Sequence, residues 1–152
     1  MKVIEAVALA LAFGVSLLTN GVDIRDTRML TEPAISKNHI AFAYADDLWI
    51  ADRDGKNVRR LTSAEGSENH PAFSPDGTQI AFDAQYDGNV DVYLVSVNGG
   101  VPVRLTFHPA PDLVQGFTPD GLSVLFSSPR AASNNRHWQL YKVPAKAVSP
   151  SL

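Results

Sequence analysis

An internal repeat limits this chain more than any other feature. Ser74-Pro75-Asp76-Gly77 recurs 44 residues on as Thr118-Pro119-Asp120-Gly121. The same shift carries Leu61-Thr62 onto Leu105-Thr106, Phe73 onto Phe117, Ile80 onto Val124 and Phe82 onto Phe126. Arg60 lands on Arg104, and Asp54-Gly55 on Asn98-Gly99. A fainter copy comes first: Pro33-Ala34-Ile35-Ser36 parallels Pro71-Ala72-Phe73-Ser74, and Ile40-Ala41-Phe42 parallels Ile80-Ala81-Phe82 across a turn shortened by two residues. Self-similarity at such a period means one supersecondary unit stacked on copies of itself.

Each unit reads as four short strands. In Ser-Pro-Asp-Gly the proline presets φ near −65°, the aspartate bonds back to local amides, and the glycine accepts a positive φ. Asp54-Gly55 and Asn98-Gly99 predict type I′ hairpin turns, the first between Leu48–Ala51 and Val58–Leu61, the second between Val92–Val97 and Val101–Leu105. Val92-Tyr93-Leu94-Val95 is apolar on both faces, as in a small sheet sandwiched between two others. Helical periodicity is missing beyond residue 20. Four strands every ~40–45 residues predict an all-β fold made of β-propeller blades of four antiparallel strands.

The units start near residues 33, 71 and 115, in a partial propeller spanning 33–147. A β-helix has shorter rungs, and an immunoglobulin-type sandwich does not repeat Pro-Asp-Gly at a fixed interval. Phe82 and Tyr93 are 11 residues apart, against 7 for Phe42 and Trp49 and 15 for Phe126 and Tyr141, so the units differ in one hairpin loop. Such loops gather on one face of a ring, often the binding face. About three blades fall short of the usual minimum of about four. The expectation is an incomplete ring, the opening fragment of a longer propeller, with apolar blade faces to be covered by further blades or a partner.

Residues 1–20 differ from the rest. Met1-Lys2 leads into an apolar run, Ala6 to Leu18, without a polar face. As a helix it would rise only about 20 Å, short of a membrane core of about 30 Å. A signal-peptide-like segment fits its length, although Glu5 weakens the basic start and no Ala-x-Ala follows Leu18. A signal-peptide-like segment of this kind predicts a periplasmic or secreted protein, with a cytoplasmic location as the alternative. Residues 21–32 read as a linker and 148–152 as a tail. Thirteen basic residues stand against sixteen acidic ones, and the longest basic run is Arg59-Arg60, which argues against nucleic acid as a partner. The absence of cysteine excludes disulfides, thiolate metal sites and a cysteine nucleophile.

Residues that could carry chemistry have structural readings. His39, His70, His108 and His137 lie in different units without metal-ligand spacing, so surface or inter-blade packing is expected, with no metal and no cofactor. Asp87-Gly88-Asn89-Val90-Asp91 matches half a calcium loop, but Val92 and Asn98 replace the glycine and glutamate that complete one, leaving a hairpin turn. Ser74 lacks a Gly-x-Ser-x-Gly elbow and reads as a turn cap, so no catalytic residue is assigned. Asp46-Asp47, Asp76 and Asp120 recur at turns. Trp49, Tyr93 and Tyr141, preceded by Leu48, Val92 and Leu140, take equivalent strand positions and predict blade-to-blade packing. Arg136 and Trp138, in the longest variable loop, are the candidates for peptide contact.

Ser74-Pro75-Asp76-Gly77-Thr78-Gln79-Ile80-Ala81-Phe82 resembles the PD40 repeat, a WD40-like motif shared by TolB-like propellers and tricorn-type proteases. Tyr86 to Tyr93 and the long run from Arg104 to Arg130 resemble the first blades of the N-terminal propeller of tricorn protease homologues. The resemblance covers roughly residues 30 to 145. It implies a large serine peptidase of the S41 type, with two propellers, a PDZ module and a C-terminal catalytic domain, whose first propeller gates or scaffolds peptides. None of its catalytic Ser or His motifs has a counterpart here, so the implied activity would reside in a domain missing from this chain. The implied partners are peptides or proteins, the remaining blades and the catalytic domain, with a homo-oligomer as one way of closing the ring. Two alternatives stay open: a TolB-like periplasmic module that binds envelope proteins, and the propeller of a prolyl-oligopeptidase-like peptidase.

Overall fold

The computed structural model describes residues 30–131 and 137–146. Their strands are β1 (Thr31–Ile35), β2 (His39–Tyr44), β3 (Asp47–Asp52), β4 (Arg59–Arg60), β5 (Glu68–Phe73) and β6 (Gln79–Ala84). They continue as β7 (Asp91–Ser96), β8 (Val103–Arg104), β9 (Leu113–Phe117), β10 (Ser123–Ser128) and β11 (Gln139–Pro144). Every pairing is antiparallel between consecutive strands, giving two four-stranded meanders, β1–β4 and β5–β8, and a three-stranded one, β9–β11. No helix occurs among the described residues. Strand β1 begins at Thr31, inside the stretch read as linker, while the apolar segment 1–20 lies outside the described residues. The opening strands converge, because β5 lies against both β1 and β9.

Period-two alternation explains the stack. Along β6 and β7, Ile80, Phe82, Ala84, Tyr93 and Val95 meet Ala41, Ala43, Leu48, Ile50 and Leu61 of the first sheet. The intervening Ala81, Val92 and Leu94 meet Val114, Val124 and Phe126 of the third. Five consecutive residues, Asp91 to Val95, are therefore buried, as expected of a sandwiched strand. Each large apolar side chain buried this way contributes about 1.5–3 kcal/mol. Cross-strand partners Phe82 and Tyr93 stack at 5.9 Å, and Phe126 and Tyr141 at 5.6 Å, so these aromatic positions serve packing. The ends of the stack are uncovered. Ile40, Phe42, Ala51, Pro33 and Val58 line an apolar groove of about 380 Å³ on the first sheet, and Leu140 is exposed on the third.

Turn chemistry follows the sequence with one correction. The amides of Gly77 and Gly121 donate to the carbonyls of Ser74 and Thr118, both at 2.8 Å, and both glycines have positive φ. Asp76 Oδ1 accepts from the Thr78 amide at 3.0 Å, and Asp120 Oδ1 from the Leu122 amide at 3.0 Å. The predicted type I′ turns do not form at Asp54-Gly55 and Asn98-Gly99. Asp52 and Lys56 bond across a three-residue loop, and the Gly55 amide donates to the Asp52 carbonyl at 2.9 Å, as Gly99 does to Ser96. Asp54 and Asn98 keep negative φ, so each glycine is instead the left-handed fourth residue of a type I pattern. A two-residue loop with both residues left-handed occurs at Ala45-Asp46, φ 51° and 66°, between the paired Tyr44 and Asp47.

These backbones predict opposite effects of two small substitutions. Ala45 is an exposed L-residue in a left-handed conformation, so Ala45→Gly should stabilise the fold by about 0.5–1 kcal/mol. Gly66 has φ 127°, and a Cβ there would sit 2.4 Å from the Gln85 carbonyl oxygen. Gly66→Ala should cost about 2 kcal/mol or more. Urea midpoints measure both, and a stabilised Gly66→Ala would contradict the backbone described.

Candidate functional site

Most buried polar groups hold sheets together. At the first joint, the amide of Leu48 donates to Thr62 Oγ1 at 3.0 Å and to Glu68 Oε2 at 2.8 Å, while the Thr62 hydroxyl and the Tyr86 phenol also donate to Glu68. Glu68 is buried, and desolvation raises its pKa against the pull of these hydrogen bonds. Arg60 pairs with Asp47 at 2.8 Å, and its equivalent Arg104 with Asp91 at 2.6 Å. Each arginine Nε donates to a threonine carbonyl, of Thr62 and of Thr106. The Leu-Thr pairs and their preceding arginines thus lock the outer strands.

A different cluster lies where β1, β5 and β9 converge. Each of these strands breaks its ladder: Glu32-Pro33 bulges between the pairs formed by Thr31 and Ala34, His70-Pro71 between those of Asn69 and Ala72, and Gln115 between those of Val114 and Gly116. Proline suits a bulge because it has no amide to leave unpaired. Glu32 and His70 are left-handed, φ 52° and 49°, an uncommon and strained backbone for such residues. Glu32, Pro33, His70, Pro71, Val114 and Gln115 line one polar opening of about 440 Å³.

A polar chain crosses all three sheets there. The His70 amide donates to Glu32 Oε2, and the His70 ring sits with Nε2 3.7 Å from Glu32 Oε1 and Nδ1 2.9 Å from Asp83 Oδ2. Asp83, on β6, is 1% exposed and also accepts the Val114 amide of β9 at 2.9 Å. Burial pushes its pKa up to about 6, against the opposing pull of the Val114 amide and of His70. Asp83 can take up or release a proton near pH 6, and the cluster presents an imidazole and a carboxylate at the opening. Among the described residues, no hydroxyl hydrogen-bonds to the His70 ring, and no group of three or more His, Asp or Glu side chains is placed to hold a metal.

The residues singled out in the sequence have other placements. Trp138 is 46% exposed just before β11 and does not line the opening; Arg136 lies outside the described residues, as does its loop neighbour Asn135. The Ser74 hydroxyl donates to Asp76 Oδ1 at 2.6 Å and accepts the Gln79 amide at 3.0 Å, a turn role. Asn89, in the calcium-like segment, donates to the His108 carbonyl at 2.6 Å, and Asp91 is taken by Arg104. The sequence reading passed over Glu32, Asp83 and Gln115 and gave His70 only a surface or inter-blade packing role. The repeated Pro-Ala that follows Glu32 and His70 was the available signal.

Stacked antiparallel meanders with converging first strands define a segment of a β-propeller. The chain belongs to the family of the tricorn protease N-terminal beta propeller domain, whose model matches residues 27–151. It is similar to Tricorn protease homolog 1 of Streptomyces coelicolor, 37% identical over 100 residues, covering 65% of this chain and 9% of that protein. It is also similar to a Protein TolB homolog of Chlorobium luteolum, 34% identical over 61 residues, covering 40% of this chain and 14% of the relative. The chain therefore spans a small part of each relative's length. Among solved structures, the tricorn protease superposes with a TM-score of 0.67 at 27% identity, over 75% of this chain and 12% of that one. TolB from Acinetobacter baumannii shares the fold at a TM-score of 0.59 and 24% identity, over 79% and 31% of the two chains.

The elevated Asp83 pKa predicts a signed pH effect. A buried acid that binds its proton more tightly in the folded state than in the unfolded state stabilises the fold most below the unfolded value, near 4. That contribution is lost as pH rises through about 6. Asp83→Asn keeps an acceptor for the Val114 amide and cannot ionise. Thermal midpoints from pH 4 to 7 should show the wild type losing stability relative to Asp83→Asn as pH rises. Parallel profiles would contradict this.

Proposed function

We propose that this chain is a non-catalytic propeller segment of a tricorn-like serine protease, which gates or scaffolds peptides for a catalytic domain elsewhere in the protein. The observation that carries this reading is the convergence of three bulged strands on one polar opening, with Glu32, His70 and Gln115 at its wall, on a scaffold from the tricorn propeller family. Rigid blades hold the bulges while the opening selects by size and charge. Peptides are the partners, further blades cover the apolar groove on the first sheet, and the apolar run Ala6–Leu18 supports export to the periplasm or beyond. A second reading, a TolB-like module that binds envelope proteins, is favoured by the shared fold with TolB.

Two experiments test the proposal. The purified chain, incubated with an unstructured peptide and a fluorophosphonate probe, should show neither cleavage nor a labelled serine; cleavage with labelling would overturn the non-catalytic assignment. In the complete protease, Gln115→Trp should narrow the opening. It should lower kcat/KM for long unstructured peptides about tenfold, close to 1.4 kcal/mol, and leave short chromogenic peptides unchanged. Equal effects on both substrates, or none, would remove the gating role, and capture of envelope proteins without peptidase activity would favour the TolB-like reading.

A further inference from the structure

At the joint between the second and third sheets a buried carboxylate oxygen has no donor among the described residues. Asp112 is fully buried, its Oδ2 accepts from Arg130, and its Oδ1 has no hydrogen-bond partner among the described residues. The repeat supplies a comparison, since the 44-residue shift carries Glu68 onto Asp112, Tyr86 onto Arg130, Thr62 onto Thr106 and Leu48 onto Val92. The backbone frame is the same at both joints: the Glu68 amide donates to the Asp46 carbonyl at 3.1 Å, and the Asp112 amide to the Val90 carbonyl at 2.9 Å.

Glu68 uses both oxygens. Oε1 accepts from Tyr86, and Oε2 accepts from Thr62 and, at 2.8 Å, from the Leu48 amide. Asp112 is one methylene shorter. It keeps the contact equivalent to Tyr86, through Arg130, and loses those to the threonine and the strand amide. The Thr106 hydroxyl still accepts the Val92 amide at 2.9 Å, but turns its own proton toward Asp91 Oδ1 at 3.3 Å, a long bond. Leaving a buried carboxylate oxygen without a donor is costly, and ordered water is the usual remedy where other polar groups stand by.

We propose that one buried water molecule bridges Asp112 Oδ1 to the Thr106 hydroxyl, doing at the second joint what the longer Glu68 side chain does directly at the first. Charge selects water over a cation. Asp112 is paired with Arg130, whose guanidinium also lies 4.8 Å over the Phe126 ring and 5.1 Å over the Tyr141 ring, and Asp91 is paired with Arg104 at 2.6 Å. With both carboxylates already matched by arginines, the site calls for a neutral donor.

A crystal structure of the intact protein, at a resolution that orders internal water, decides the matter. The expected result is one water about 2.8 Å from Asp112 Oδ1. In Asp112→Glu that water should be gone, with the longer carboxylate accepting from Thr106 and the Val92 amide. An Oδ1 bonded directly to a protein donor, a dry site, or a water unmoved in Asp112→Glu would each overturn the proposal. Should Asp112→Glu fail to fold, the wild-type crystal alone decides, and Glu68→Asp offers the reciprocal test: a new water beside Thr62 supports the proposal and a dry site there overturns it.

Discussion

The second sheet has no solvent face, and everything else in the molecule follows from that. Its alternating residues send Ile80, Phe82 and Tyr93 into one neighbour and Ala81, Val92 and Leu94 into the other. A sheet buried on both sides cannot fold alone, because neither apolar face has an opposing layer until a copy of the unit stacks there. The same logic applies to the ends of the stack, where Ile40 and Phe42 line an uncovered groove and Leu140 is exposed.

Stacking brings backbone polar groups to the joints, and buried carboxylates resolve them. Glu68 binds a strand amide, a threonine and a tyrosine of the first two sheets, while Asp112 works through an arginine. Where β1, β5 and β9 converge, their ladders are interrupted by bulges, and the residues freed from pairing form the opening. The bulges of β1, β5 and β9 carry the groups able to meet a peptide, while Glu68 at the start of β5 and the remaining strands serve packing and clasps.

Sequence exposed the stack more readily than the site. Turn chemistry is local, so Ser74-Pro75-Asp76-Gly77 and its copy could be read as turns and their spacing as a blade period. Asp54-Gly55 misled because the same dipeptide serves a two-residue loop and a three-residue loop, and only the pairing of Asp52 with Lys56 distinguishes them. Ala45-Asp46 carried no glycine to announce a left-handed pair. His70 and Asp83 are 13 residues apart on neighbouring strands, and Glu32 and Val114 join them only when three sheets pack, which no short motif encodes. Choosing Arg136 and Trp138 followed loop length, yet the polar opening is built from bulges within strands.

The central claim is that these three meanders are blades of a larger ring. The chain contains no cysteine, so a single thiol can be placed on either kind of face without background from this segment. The measurement is the thiol-labelling rate of Ile40→Cys, at the uncovered groove, in the chain alone and in the complete protein, with Val124→Cys in the closed joint as reference. A ring predicts that residue 40 labels readily in the chain alone and becomes as protected as residue 124 in the complete protein. Equal labelling of residue 40 in both would contradict it, because no further blade would then be covering that face.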